Sequence, residues 1–108
     1  MALEDVIGTK VRALADRGAA RDLIDVRAAS RLYSPVDLEN FGRRHARDEF
    51  SLEELAARLD GAEWFDDEAF TVYGLTENEL SDLRTWARAW SDDIAGRVSE
   101  EVILEDLP

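Results

Sequence analysis

The chain has 108 residues, 45% hydrophobic and 35% charged, and a net charge of −12. That describes one globular domain with a modest core rather than a disordered or fibrous segment. It has no cysteine, which excludes a disulfide framework or a thiolate metal site. Its apolar runs are too short to cross a bilayer, and the acidic start Met1-Ala2-Leu3-Glu4-Asp5 is unlike a secretion signal. A cytoplasmic location is therefore expected.

The acid is unevenly spread. Residues 1–59 hold 10 basic and 11 acidic side chains and balance to −1, whereas residues 60–108 hold 3 and 14 and carry −11. A negative field repels phosphate backbones, so nucleic acid is disfavoured as a partner of this chain alone. Twelve of the thirteen basic residues are arginine, and Lys10 is the only lysine.

With no internal repeat or linker, residues 1–108 are expected to form a single domain. Leu3, Val6, Ile7, Val11 and Leu14 recur at helical spacing, predicting a helix over residues 2–16 that stops at Arg17-Gly18. A second helix is expected over 22–32, with Ile24, Ala28 and Leu32 on its inner face. Asp22 is expected to accept backbone N–H groups at its start. Ser34-Pro35 marks a third helix, carrying Val36, Leu38, Phe41 and Ala46. Ser51 with Glu54 caps a fourth, bearing Leu52, Leu55 and Leu59 and ending at Asp60-Gly61.

Residues 62–75 read as an aromatic-rich connector with one helical turn. Its Trp64, Phe65, Phe70 and Tyr73 are expected to plug the core. Thr76 and Glu79 then cap the longest helix, expected to reach about residue 98, with Leu80, Leu83, Ala87, Trp90, Ile94 and Val98 along one side. Residues 99–108, containing Val102-Ile103-Leu104 among acids, read either as a docking tail or as a frayed, flexible acidic end. The expected class is all-α, a small bundle of about five helices.

Two charges fall on stripes that otherwise read as core. Lys10 lies between Ile7 and Leu14, and Asp25 shares a face with Ala28, Ala29 and Leu32. A buried charge is costly unless it is paired or opens onto a cleft. One reading is an ion pair tying the first helix to the second. The other is a site in which Lys10 meets an anionic ligand and Asp25 orients it or helps to hold a metal, flanked by Arg21 and Asp22. His45, within Arg43-Arg44-His45-Ala46-Arg47, lacks the company a zinc site needs and reads as part of a solvated face, and no metal site is expected.

Lys10-Val11-Arg12-Ala13-Leu14 followed by Arg21-Asp22-Leu23-Ile24-Asp25-Val26 resembles a motif of the abortive-infection nucleotidyltransferase toxins of AbiEii/AbiGii type. Tyr73-Gly74-Leu75-Thr76, Leu83-Arg84 and Trp90 are similar to that family's last helix. The resemblance implies the helical, C-terminal, nucleotide-side part of a bacterial toxin–antitoxin enzyme. Lys10 and Asp25 would be its catalytic positions and Lys10, Arg21 and Asp22 its nucleotide contacts. The complete enzymes use Mg²⁺ and a nucleoside triphosphate, with a Gly-Ser element and an Asp-x-Asp pair in an N-terminal half. This sequence contains neither element. Catalysis is therefore expected only with a complementing half, and no cofactor is expected for this chain alone. The partners implied are that half, a cognate antitoxin or a second copy. The alternative is a non-catalytic helical module that binds another protein.

Overall fold

A computed structural model describes residues 2–44 and 50–105, with side chains through residue 100. His45, Ala46 and the last three residues of the expected tail lie outside the described residues. Among the described residues there are six α-helices and no strand: α1 (Leu3–Arg17), α2 (Ala20–Ala29), α3 (Pro35–Arg44), α4 (Leu52–Asp60), α5 (Glu68–Thr71) and α6 (Glu77–Glu105). A 3₁₀ turn, Gly61–Glu63, continues α4. No described helix is long and apolar enough to cross a membrane.

The helix boundaries follow local chemistry. Gly18 ends α1 in the left-handed conformation, at φ 60° and ψ 38°, which glycine adopts without steric cost. At Ser34 the hydroxyl accepts from the Asp37 N–H at 3.2 Å, while the Asp37 carboxylate accepts from the Ser34 N–H at 3.3 Å. This is a reciprocal cap that satisfies two free donors at once. Thr76 and Glu79 exchange the same two bonds at 3.2 and 3.0 Å. Those bonds to Thr76 hold the Glu79 carboxyl below its ordinary range. Ser51 accepts from the Glu54 N–H at 3.2 Å.

The helix α1 lies centrally, packed against α2, α3 and α4, while α6 runs along α4 and touches α2. Ile7, Val11 and Leu14 of α1 join Leu38 and Phe41 of α3, Leu55 and Leu59 of α4, and Leu80, Leu83, Ala87, Trp90 and Ile94 of α6 in one buried cluster. Gly42 eases the close approach of α1 to α3: a Cβ there would stand 3.0 Å from Val11 and from the Phe50 ring, and those side chains would have to give by a few tenths of an ångström.

Three expectations are corrected. The second helix runs Ala20–Ala29 rather than 22–32, so Leu32 lies beyond it; Leu23, Val26 and Ala29 are buried, whereas Ala28 and Leu32 face solvent and Ile24 is half-buried. A ten-residue helix apolar on several sides takes its inner face from its neighbours. In the connector, Phe70 is buried and Phe65 half-buried, but Trp64 and Tyr73 are exposed. The 3₁₀ turn and the single turn of α5 direct the two phenyl rings inward. There they meet edge to face with centroids 5.8 Å apart, an arrangement the ring quadrupoles favour. Finally, α6 continues past residue 98 to Glu105, so the helical ladder takes in part of the expected tail.

A buried polar contact fastens α3 to the far part of α6. Arg97 of α6 donates to both carboxylate oxygens of Glu39 on α3, at 2.9 and 2.7 Å. The Trp90 indole N–H donates to the same carboxylate at 2.9 Å. Glu39 is only 1% exposed.

Candidate functional site

Lys10 and Arg17 are seven residues apart on α1, two helical turns, and therefore share one face. The left-handed bend at Gly18 turns the chain back so that the first turns of α2 lie beside α1. Asp22 and Asp25 occupy those turns of α2. Each carboxylate meets one of the two cations.

One pair is Arg17–Asp22, in which the aspartate is buried and the arginine side chain is 67% exposed. Arg17 donates two hydrogen bonds to the carboxylate, at 2.8 and 2.7 Å, and the Ala19 N–H donates a third at 3.0 Å. Asp22 is 3% exposed. The Arg17 hydrogen bonds hold the Asp22 carboxyl below its ordinary range, with further help from the Ala19 N–H and the charges of Arg17 and Lys10; burial works in the opposite direction. In return, the hydrogen bond and charge of Asp22 raise the Arg17 guanidinium above its ordinary value. Asp22 accepts a backbone N–H as expected, but from the third position of a helix that begins at Ala20 rather than at residue 22, and it also holds Arg17 in place.

The other pair is Lys10–Asp25, whose Nζ and Oδ2 stand 3.2 Å apart. The lysine side chain is 42% exposed and the aspartate 31%. The sequence expectation that these two groups converge is met, but at the rim of the α1–α2 contact rather than within the core. At such a rim, solvent screening limits an ion pair to roughly 0–1 kcal/mol. It is therefore a weak fastener, and its ammonium remains open to another anion.

Arg21 lies four residues before Asp25, on the same face of α2. It is exposed and makes no ion pair among the described residues. The arrangement thus has Lys10 and Arg21 beside Asp25, with the locked Arg17–Asp22 pair one turn away. The sequence reading assigns Arg17 only to a helix stop. Its spacing of seven from Lys10 and five from Asp22 is the signal available for its part in this cluster.

Among the described residues, no three His, Cys, Asp or Glu side chains come close enough to hold a metal ion. Asp22 has its oxygens taken by Arg17 and Ala19, while Asp67 of the connector pairs with Arg84 at 2.8 Å. The described acid of residues 60–108 is therefore not gathered into a metal centre.

Beyond Arg17 the surface opens into a cleft of about 290 Å³ between the ends of α1 and α4. Arg17, Gly18, Arg58, Gly61, Trp64 and Phe65 line it, and Trp64 is exposed. A larger hollow of about 560 Å³ along α6 is lined by both acidic and basic side chains, among them Glu63, Asp67, Arg84 and Arg88.

Comparison with known proteins bears on this cluster. The profile of a family described as nucleotidyl transferase AbiEii toxin, type IV TA system, matches residues 1–101. Searches of curated proteins and of solved structures gave no match. The matched span takes in α1, α2 and nearly all of α6, and hence the whole cluster around Lys10 and Asp25. The chain belongs to the nucleotidyl transferase AbiEii toxin family.

Proposed function

We propose that this chain supplies the nucleotide-side helical surface of a toxin-like nucleotidyltransferase, with Lys10 as the phosphate contact. The observation that carries the reading is the half-exposed Lys10 ammonium, set against Asp25 and beside the exposed Arg21 on helices that fall within the family match. A compact ammonium suits a phosphate oxygen. Asp25 keeps the lysine extended along the rim until an anionic ligand takes over part of that contact. Asp22 fixes the start of α2 and thereby the positions of Arg21 and Asp25.

Group transfer requires a further component. Two-metal phosphoryl chemistry needs carboxylates gathered around the ions. A complementing half bearing the Gly-Ser element and Asp-x-Asp pair of the family would supply the metal and the in-line geometry. The exposed apolar side chains Leu32, Val36, Val72 and Tyr73 offer area on which such a half can seat.

The test is calorimetric titration of the chain with nucleoside triphosphates. Wild type should bind more tightly than Lys10→Ala, with Lys10→Arg between them because a guanidinium keeps the charge but not the compact head. Equal binding by wild type and Lys10→Ala would remove the site.

The same exposed apolar side chains favour a second reading, a non-catalytic module that binds another protein, including a cognate antitoxin. In that case Leu32→Glu or Tyr73→Glu would abolish partner binding while Lys10→Ala left it unchanged.

A further inference from the structure

We infer that the Trp64 cleft is the base-side subsite for the nucleotide whose phosphates meet Lys10. This inference rests on the phosphate reading above and adds to it a second contact, at the other end of the same ligand.

Arg17 is the residue that relates the two places. Lys10 and Arg17 lie on one face of α1. Seven residues of helical rise separate them by about 10 Å along the axis. Arg17 also lines the Trp64 cleft. An extended nucleoside triphosphate laid along this face would have its phosphates at Lys10, would pass Arg17, and would bring its base to the indole.

The cleft has features suited to a flat heterocycle. Trp64 exposes 85% of its surface beside a concavity of about 290 Å³. An indole face so unshielded can stack on a planar ring. Gly18, Gly61 and Phe65 supply a floor of small and apolar groups. The two arginines at its edge are held in position. Arg17 is fixed by Asp22, while Arg58 donates to the Asp16 carbonyl at 3.2 Å and lies across Gly18. A Cβ on Gly18 would stand 2.5 Å from Arg58 Cδ, and the φ of +60° already favours glycine there. The apolar floor complements the base, and Arg17 stands between the cleft and Lys10, on the path from base to phosphates.

The other two tryptophans are less exposed, Trp90 being buried and Trp86 half-buried, so Trp64 is the natural fluorescence reporter. The experiment titrates the full chain with ATP, GTP, CTP and UTP, and separately with inorganic tripolyphosphate, following tryptophan emission and calorimetric heat. The expected result is quenching by at least one nucleotide that is lost in Trp64→Phe. Trp64→Ala should weaken that nucleotide about tenfold, the scale of one lost stacking contact, and leave tripolyphosphate binding unchanged. Nucleotide binding that depends on Lys10 but is identical in wild type and Trp64→Ala would overturn the base subsite while sparing the phosphate contact. Binding that depends on Trp64 but not on Lys10 would support the cleft and remove the phosphate contact. Absence of nucleotide binding would overturn the subsite.

Discussion

Glu39 and Arg97, 58 residues apart in the chain, form a two-pronged ion pair in which the carboxylate is almost wholly buried and is shared with the Trp90 indole. The Arg97 guanidinium is raised well above its ordinary value, chiefly by the hydrogen bond to Glu39 and against the effect of its own burial. This contact fixes α3 against α6.

Removing the cation leaves a buried carboxylate without a counter-charge. Arg97→Met should cost at most about 3–5 kcal/mol at neutral pH, the range for breaking one side of a fully buried pair, since the arginine side chain is 34% exposed. Glu39→Gln combined with Arg97→Met should recover much of that loss, because a neutral amide can still accept from the Trp90 indole. Urea unfolding of the two variants is the check, and a double variant no better than Arg97→Met would contradict the account.

Asp22 makes stability depend on pH. Its folded-state value lies below the unfolded one. Its contribution is therefore present above the unfolded carboxylate value, about 3.9, and is lost as pH falls through the lower folded value. Wild type should accordingly lose stability progressively in acid. Asp22→Asn should already be weaker at pH 7, by roughly 1–2 kcal/mol for an impaired helix start, and its acid limb should be shallower. Thermal melts from about pH 2 to pH 7 would show the two curves converging.

Arg84 holds the connector against α6. It donates to the Ala62 carbonyl at 3.2 Å, the Phe65 carbonyl at 2.9 Å and Asp67 at 2.8 Å, with its guanidinium 5.7 Å from the Phe70 ring centre. A lysine cannot span these acceptors with one compact head. Arg84→Lys should cost about 1–2 kcal/mol and speed amide exchange in residues 61–75 before the rest of the chain. Uniform loss of protection across all helices would count against a local clamp.

Lys10→Ala should barely affect folding. The pair it breaks is partly solvated, so the expected change is at most about 1 kcal/mol. A cooperative melt within a few degrees of wild type is the predicted outcome, which makes this variant a clean probe of binding.

The helical class, the caps at Ser34, Ser51 and Thr76 and the stop at Gly18 are legible in the sequence because each depends on short spacings, and the meeting of Lys10 with Asp25 is legible because only the turn at Gly18 separates their two helices. What escapes depends on distant partners. The apolar residues of α2 surround the helix, so the choice of Leu23 and Val26 over Ala28 and Leu32 falls to α1 and α6. Nothing near Glu39 in the chain announces Arg97, although its place beside Leu38 and three residues before Gly42 puts it on a face that packs. Trp64 reads as core because tryptophan is highly buried on average. Only the turn at Gly61–Glu63 shows that it points outward.

The most direct measurement of the central claim is a nitrogen-15 NMR titration of wild type and Lys10→Ala with a nucleoside triphosphate. The account predicts amide shifts in wild type concentrated around Lys10, Arg21 and Asp25, and strongly reduced in the variant. Identical shifts in both proteins, or shifts confined to a surface remote from α1 and α2, would contradict it.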